Sequence, residues 1–221
     1  SATGVVEWTR GGFNFEPDLP AAPIWAMVEG GPSRLLAGTR SGMTLLDAEG
    51  DALWLGGEGL PYVAVRATAE GGAVGVANRR EDPFETNPLL IQKDIVLTRL
   101  DASGETVATT TFGVTNSYDA AQDMILTSDG GCLILGRTGM YGEDHGMMWL
   151  IRTDPGGNCL WDLPMHGRGY AITEAPDHDF LVAGEAVVEG IRHLWLVKIR
   201  GDLEAPLPAF TYSPATALFT G

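Results

Sequence analysis

The chain has 221 residues, of which 14 are Lys or Arg and 29 are Asp or Glu, so its formal net charge is -15. This charge repels phosphate backbones and anionic lipids, which disfavours nucleic-acid and membrane-surface partners. With 30 Gly, 13 Pro and 44% hydrophobic residues, the composition excludes a disordered chain and favours many short strands joined by tight turns.

The predicted elements begin with an N-terminal strand, and a pattern of short strands and Gly-rich turns then recurs four times. The first two copies read IWAMVEGG, RLLAGTRSG, MTLLDAEG and DALWLGG in residues 24–57, and VAVRATAEGG, AVGVANRR, DIVLTRLDASG and ETVATTTFG in 63–113. The third reads AAQDMILTSDGG, CLILGRTG, MMWLIRTDPGG and NCLWDLPM in 120–165. The fourth supplies AITEAPDHD, FLVAGEA and HLWLVKIRGD in 171–202 and has no fourth strand.

The repeat predicts an all-β fold, a β-propeller of four four-stranded blades. Residues 4–8 (GVVEW) share the Gly and Trp spacing of residues 50–54 and 157–161. We therefore expect the N-terminal strand, over 5–10, to pair with the strand around 194–199 and to close the ring. Closure buries the sheet edges that an open array exposes. The alternative is a five-bladed ring or a part of a larger propeller.

The turn between the third and fourth strands is the most regular element, reading DAEG at 47–50, DASG at 101–104 and DPGG at 154–157. An Asp side chain can accept hydrogen bonds from the backbone two residues on, and Gly supplies the positive φ of a hairpin bulge. We interpret these segments as hairpin turns. A calcium loop needs several more oxygen ligands, so no cofactor is expected and structural calcium is the less favoured use of these aspartates.

Four tryptophans lie on the predicted third and fourth strands, namely Trp54, Trp149, Trp161 and Trp195. A large flat ring buries much apolar area, so we expect these side chains to fill the space between blades. Stacking against a sugar is the alternative use.

Two cysteines, Cys132 and Cys159, could form one disulfide or remain free thiols. They lie at the starts of the second and fourth strands of one predicted blade, so one strand separates them. Two strand spacings are about 9.6 Å, beyond the roughly 7 Å between Cα atoms that a disulfide spans. A bond therefore requires the turn at Asp154 to fold inward.

The third copy carries a resemblance to a known family. DGGCLILGRT followed by WLIRTDPGGNCLW resembles the bacterial and archaeal surface propeller repeats, whose consensus is close to DGGyilaGxT and then DxwlvKtDxxGnxxW. Arg99, Arg152 and Lys198 stand where that family has its basic residue. The resemblance implies a propeller of extracellular or cell-surface proteins, and it transfers no catalytic residues.

The tail APLPAFTYSPATALFTG, residues 205–221, looks like the opening strand of a PKD (polycystic kidney disease) domain, a β-sandwich spacer of surface proteins. This resemblance implies a modular extracellular protein. We accordingly divide the chain into a propeller domain, 1–204, and a Pro-rich tail, 205–221, that could begin a following module.

Two connections between second and third strands, 78–93 and 137–146, are longer than the other hairpin turns. Long loops in compact domains often carry function, and both are expected on the face that carries the blade-to-blade crossings. Mixed charges and aromatic rings on that face suit a protein or glycan partner. The candidate binding residues are Arg79, Arg80, Glu81, Asp82, Phe84, Tyr141, Glu143, Asp144 and His145; ordinary solvated loops are the alternative reading.

No nucleophile, zinc or phosphate-binding signature occurs in the sequence. We therefore expect no catalytic residues, no metal site and no enzymatic activity. The leading hypothesis is an extracellular or cell-surface module for adhesion or surface assembly, with a protein or glycan partner, and with homo-oligomer, filament or lattice formation as one route.

Two other functions stay open. A carbohydrate-binding lectin predicts equivalent pockets between blades, although the loops differ between copies. A propeller-type glycoside hydrolase or lyase would use paired carboxylates, and Asp119 and Asp123 are the nearest candidates. Both residues are also interpretable as turn and surface residues. No apolar run approaches the roughly 20 residues that cross a bilayer, so membrane insertion of this segment is not expected.

Overall fold

The computed structural model describes residues 24–82, 92–114, 117–139, 147–188 and 190–201. These residues form fifteen strands in four antiparallel sheets, and they include no helix. The expected all-β fold is therefore confirmed. The N-terminal strand over 5–10 and the tail from 205 lie outside the described residues.

Each sheet comes from one copy of the repeat, and its strands are hydrogen-bonded in chain order. The first sheet holds β1 (Ile24–Gly31), β2 (Arg34–Thr39), β3 (Met43–Leu46) and β4 (Ala52–Gly56), and the second holds β5 (Tyr62–Ala67), β6 (Ala73–Arg80), β7 (Lys93–Leu100) and β8 (Thr106–Phe112). The third holds β9 (Ala120–Leu126), β10 (Cys132–Thr138), β11 (Met147–Thr153) and β12 (Cys159–Met165). The fourth holds β13 (Arg168–Glu174), β14 (Phe180–Val188) and β15 (Ile191–Ile199).

The sheets stack face to face in chain order. Strand β5 contacts β1, β9 contacts β5 and β13 contacts β9, so the first strands of successive sheets lie side by side along one edge of the stack. Three hydrophobic clusters fill the three spaces between neighbouring sheets. This arrangement is propeller-like, because propeller blades also stack around their first strands.

A ring of four blades further requires that the first and fourth sheets contact each other. Among the described strands these two sheets do not pack together. Strand β15 is hydrogen-bonded to β14, and the segment expected to pair with its other edge lies outside the described residues. The closed ring of four blades therefore stays a prediction.

The aspartate turns have the expected hairpin chemistry. The Asp47 carboxylate accepts hydrogen bonds from the Glu49 and Asp51 amides at 3.1 and 2.8 Å, and Gly50 has φ of 80°. Asp101 and Asp154 hold the second and third sheets' turns in the same way. Among the described residues no group of three or more Asp, Glu, His or Cys side chains could hold a metal ion.

In the third and fourth sheets, the basic residue on the third strand binds the turn between the first and second strands. We call this contact a clamp. Arg152 of β11 donates to Asp129 at 2.6 Å and to the Thr153 carbonyl, so it fixes the turn between β9 and β10. Lys198 of β15 lies 2.5 Å from Asp177 and 3.1 Å from Asp179, in the matching turn of the fourth sheet. These contacts give the repeated basic position a structural role.

The tryptophans lie between sheets, as expected. Trp54 belongs to the cluster between the first two sheets and packs against Gly104, the turn glycine of the second sheet. Trp149 fills the second space and donates to Asp162 at 2.8 Å, while Trp161 and Trp195 fill the third.

The two cysteines do not form a disulfide. Cys132 is buried, Cys159 is exposed, and both are free thiols. Thr153 of β11 pairs with Cys132 on one side and with Cys159 on the other, so a whole strand separates them. The turn at Asp154 keeps its hairpin form and does not bring the two sulfur atoms together.

Candidate binding face

The two long connections begin at adjacent positions on one end of the sheet stack. One leaves β6 after Arg80 and returns at Lys93, which is paired with Arg80, and the other leaves β10 after Thr138. The crossing segment Ser117–Asp119 joins their bases. Its backbone bonds Lys93 of the second sheet and Gly139 of the third at distances of 2.7 to 3.4 Å.

Asp119 fixes this crossing segment. Its side chain is fully buried and accepts hydrogen bonds from the Val114 amide at 2.6 Å and from the Ser117 hydroxyl at 2.8 Å. The same hydroxyl accepts a hydrogen bond from the Gly139 amide at 3.0 Å. A short carboxylate-to-serine contact is thus used to hold the backbone, and both side chains are shielded from solvent.

The Tyr118 ring contacts two cations on this face. The Lys93 ammonium is 4.8 Å and the Arg137 guanidinium 4.6 Å from the centroid of the Tyr118 ring. Burial disfavours the phenolate, but hydrogen bonds and charges from Lys93 and Arg137 outweigh that effect and lower the pKa of Tyr118. We name these three residues the cation cluster.

Of the residues predicted for this face, four are described. Arg79 donates to Asp94 at 3.3 Å and to the Thr111 hydroxyl at 3.4 Å, so it braces the hairpin. Arg80 ends β6 beside Lys93, and Glu81 and Asp82 follow it as exposed residues. Phe84, Tyr141, Glu143, Asp144 and His145 lie outside the described residues.

The cation cluster was missed by sequence reasoning. Lys93, Tyr118 and Arg137 flank the long loops and were not among the nine predicted residues. Their meeting depends on packing between the second and third sheets, which the local pattern of residues does not contain. The sequence carried one signal for this cluster: Lys93 and Arg137 lie where the two long loops join their strands.

Charges of both signs lie at each end of the sheets. At the loop end Arg79 is paired with Asp94, and Arg80, Lys93 and Arg137 lie there with Glu81 and Asp82. The opposite end carries both acidic and basic residues, namely Asp47, Asp101, Asp129, Asp154, Asp177, Arg34, Arg99, Arg152 and Lys198. The feature of the loop end that suits an anionic group is therefore local, the pair of cations at Tyr118.

The alternative catalytic pair has structural partners. Asp119 holds the crossing segment, and Asp123 accepts hydrogen bonds from Arg66 of the second sheet and from the Ile172 amide of the fourth, both at 3.1 Å. Asp123 therefore ties the first strands of three successive sheets together. The alternative interpretation as turn and surface residues is wrong for the exposure of Asp119, which is fully buried, and the Asp123 side chain is 22% exposed.

No protein-family model matches the chain. No curated protein matches it either. Among solved structures, it is similar to a protein of unknown function from Bacteroides caccae, with a TM-score of 0.49, 14% identity, and coverage of 78% of this chain and 56% of that protein. It is also similar to an ACO/RPE65 chimera, with a TM-score of 0.42, 15% identity, and coverage of 73% and 39%. The chain spans only part of the length of each of these proteins.

Within the described ranges no helix is long and apolar enough to cross a membrane.

Proposed function

We propose that this chain is a non-catalytic binding module of the extracellular space or cell surface, and that it binds an anionic partner through the loop end of its second and third sheets. The cation cluster carries the proposal. Two positive groups are held on either side of the joint between the two long loops, where a carboxylate or sulfate can accept from both. The extracellular location depends on the family resemblance.

A rigid support favours binding over a purely structural role for this face. The crossing segment is bonded to both sheets, and Lys93 and Arg137 both contact its Tyr118 ring, so the two cations share one support before a partner arrives. Pre-organised groups lose less entropy on binding than flexible ones. The Ser117 hydroxyl, which donates to Asp119 at 2.8 Å, is buried and accepts a hydrogen bond from the Gly139 amide, so this pair supports a role in holding the backbone in preference to hydrolysis.

Binding to immobilised heparin, polygalacturonate and poly-glutamate tests the proposal, since these probes carry sulfate, uronate and peptide carboxylates. We expect at least one to be retained by the chain, and retention to fall steeply with salt. Lys93→Ala/Arg137→Ala should lose this retention. The matched control, Arg34→Ala/Arg99→Ala, removes two positive charges from the opposite end and should keep it. Equal losses in both variants, or no retention on any probe, would contradict the proposal.

We also propose that the four sheets are blades of a propeller ring larger than four blades. The exposure of Leu194 and Leu196 on the outer side of the fourth sheet favours this alternative, because in a four-bladed ring the first sheet would cover them. A fourth strand added along β15, supplied by residues 5–10, remains part of the proposal because the other sheets have four strands. Deletion of residues 1–10 should then reduce amide protection in β15, measured by hydrogen exchange, and leave β11 unchanged.

A further inference from the structure

The first strand of every described sheet carries a β-bulge. In each sheet one residue of the first strand is left over, because the residues on either side of it pair with two consecutive residues of the second strand. A bulge re-aims a side chain and is common next to binding sites. The four bulge residues are Trp25, Val63, Gln122 and Tyr170, and we name them the bulge row.

The four bulges lie at equivalent places in their sheets. The residue after each bulge is aligned, through its partner on the second strand, with one third-strand residue, namely Met43, Leu97, Leu150 or Leu196. In the first three sheets this third-strand residue stands at one fixed spacing before the turn aspartate, and in the third and fourth sheets at one fixed spacing before the basic clamp residue. Because the first strands of successive sheets contact one another in order, the bulge row runs across the stack.

The bulge row stays accessible where the sheets pack together. Trp25 is 50% exposed although the second sheet packs on the first, and Gln122 is exposed although the fourth sheet packs on the third. Tyr170 is 51% exposed, and Val63 is partly buried against the cluster between the second and third sheets. The row therefore presents two aromatic rings and one amide to solvent.

Side chains already bond the edge of the first strands. Asn78 accepts a hydrogen bond from the Ala121 amide at 2.7 Å and donates to the Ala121 carbonyl at 3.2 Å, so it joins the second sheet to the third. Asp123 accepts a hydrogen bond from the Ile172 amide at 3.1 Å and joins the third sheet to the fourth. An extended peptide adds to a sheet edge through such backbone groups. Because these groups are occupied, the edge is poorly suited to a peptide strand, and its exposed side chains are what a partner meets.

The bulge row lies at the same end of the sheets as the cation cluster. Gln122 shares β9 with Ala120, and Ala120 is paired with Arg137 of the cation cluster. Positive groups therefore lie near the middle of the row, while Trp25 and Tyr170 lie in the first and fourth sheets. Packed sheets are about 10 Å apart, so three such steps make the row about 30 Å long. A monosaccharide covers one or two bulge positions, whereas an extended polymer can follow the whole row.

We propose that the bulge row binds an anionic polysaccharide of the uronate type, which crosses the four first strands with its carboxylates at the cation cluster. This inference rests on the proposed function and deepens it by naming the class of partner. A pyranose ring has an apolar C–H face that stacks on an aromatic side chain, and its hydroxyl groups bond an amide. Trp25 and Tyr170 supply the rings and Gln122 supplies the amide, while Lys93 and Arg137 supply the charge.

Calorimetric titration with polygalacturonate and with poly-glutamate tests the proposal, because these polymers carry carboxylates on a sugar and on a peptide. Trp25→Ala/Tyr170→Ala should weaken polygalacturonate binding at least about tenfold, since two ring contacts are lost. The same variant should leave any poly-glutamate binding unchanged. Trp25→Phe/Tyr170→Phe keeps two rings and should bind polygalacturonate nearly as tightly as the parent. The matched control, Val107→Ala/Leu160→Ala, changes two comparably exposed apolar residues on β8 and β12 and should bind like the parent.

The parent chain also gives a test that needs no substitution. Longer oligogalacturonates should bind more tightly than digalacturonate until they cover the row, because each further bulge position adds a linked contact. An affinity that is already complete at digalacturonate would mean that the cation cluster alone binds, and it would overturn the inference.

Failure here is separable from failure of the proposed function. If another anionic probe is retained and polygalacturonate is not, or if Trp25→Ala/Tyr170→Ala leaves polygalacturonate binding unchanged, the polysaccharide assignment is wrong and the anion site stands. If Lys93→Ala/Arg137→Ala leaves polygalacturonate binding unchanged, both are wrong, because the carboxylates are then not held at the cation cluster.

Discussion

The third and fourth sheets are built from the same repeat but differ in how their third strands are buried. Strand β11 of the third sheet is buried along almost its whole length, on both faces, whereas β15 of the fourth sheet exposes its alternate residues. Both strands read as apolar runs. The difference teaches that burial in this fold is decided by whether a neighbouring sheet covers each face, and composition alone does not reveal it.

The largest expected effect comes from substituting two leucines at equivalent positions, Leu150 of the third sheet and Leu196 of the fourth. Leu150→Ala should lower the free energy of unfolding by about 3 kcal/mol, because it opens a cavity between the third and fourth sheets. Leu196→Ala, at the matching exposed position, should cost less than about 0.5 kcal/mol in the monomer. Urea denaturation at low protein concentration measures both. Equal losses would show that Leu196 is covered in solution.

Two turn glycines have different surroundings: Gly104 lies at the interface between the first and second sheets, and Gly190 lies in the turn between β14 and β15. Gly104 has φ of 87°, and an added Cβ would lie 3.0 Å from atoms of Trp54, whereas Gly190 has φ of 79° with no atom within 4 Å of an added Cβ. Gly104→Ala should cost about 2 kcal/mol and Gly190→Ala about 1 kcal/mol, the shared part coming from the left-handed backbone. Thermal unfolding of both variants tests the difference.

Acid titration compares the clamps of the third and fourth sheets. The hydrogen bond from Arg152, aided by Thr127 and the Gly131 amide, lowers the pKa of Asp129 to about 2. Because the folded-state pKa lies below the unfolded one, the stabilisation is complete above about pH 4 and is lost as the pH falls towards about 2.

The Asp129 side chain is 55% exposed, so solvent screening reduces this contribution to about 1 kcal/mol. Asp129→Asn should remove that part of the pH dependence in urea unfolding between these pH values. Asp177→Asn should change the profile less, because its partner Lys198 is 50% exposed whereas Arg152 is 8% exposed. A larger change for Asp177 would reverse the comparison between the third and fourth sheets.

The smallest effect concerns the turns between first and second strands. His178 has φ of 63° at the position where the second and third sheets have Gly71 and Gly130. His178→Gly should stabilise the chain by about 0.5 kcal/mol by relieving this backbone conformation, even though it removes the exposed contact with Glu174. The reverse change, Gly130→His, should destabilise by about 1 kcal/mol. Differential scanning calorimetry measures the two changes, and shifts of the same sign would be inconsistent with this explanation.

Much of the fold could be predicted from the sequence, because its signals are local. Alternating apolar residues and the Asp–Gly spacing specified all fifteen described strands and their pairing within sheets. Packing between sheets could be predicted from the sequence only at large apolar side chains such as Trp54 and Trp161, because a neighbouring sheet is needed to bury them. Whether the first and fourth sheets pack together depends on the rotation between neighbouring sheets, which no residue pattern specifies.

The location of the candidate site could be predicted from the sequence, but the residues that form it could not. The two long loops marked the correct end of the stack, since loop length is read directly from the spacing of strands. Tyr118 and Asp119 were harder to interpret, because the crossing segment meets Lys93 and Gly139 only after two sheets have packed. Asp119 suggested a catalytic carboxylate in sequence, while its buried hydrogen bonds assign it to holding the backbone.

Every sheet that the structure describes is made from strands consecutive in the chain, and it packs on its neighbours in order. Folding of these fifteen strands can therefore proceed sheet by sheet with short loop closures, and the proposed pairing of residues 5–10 with β15 is the one long-range step to follow. Gene duplication of one such stretch adds a complete unit whose two faces already fit the existing ones. The molecule can in this way lengthen or shorten by whole sheets while the turns and clamps inside each sheet stay unchanged.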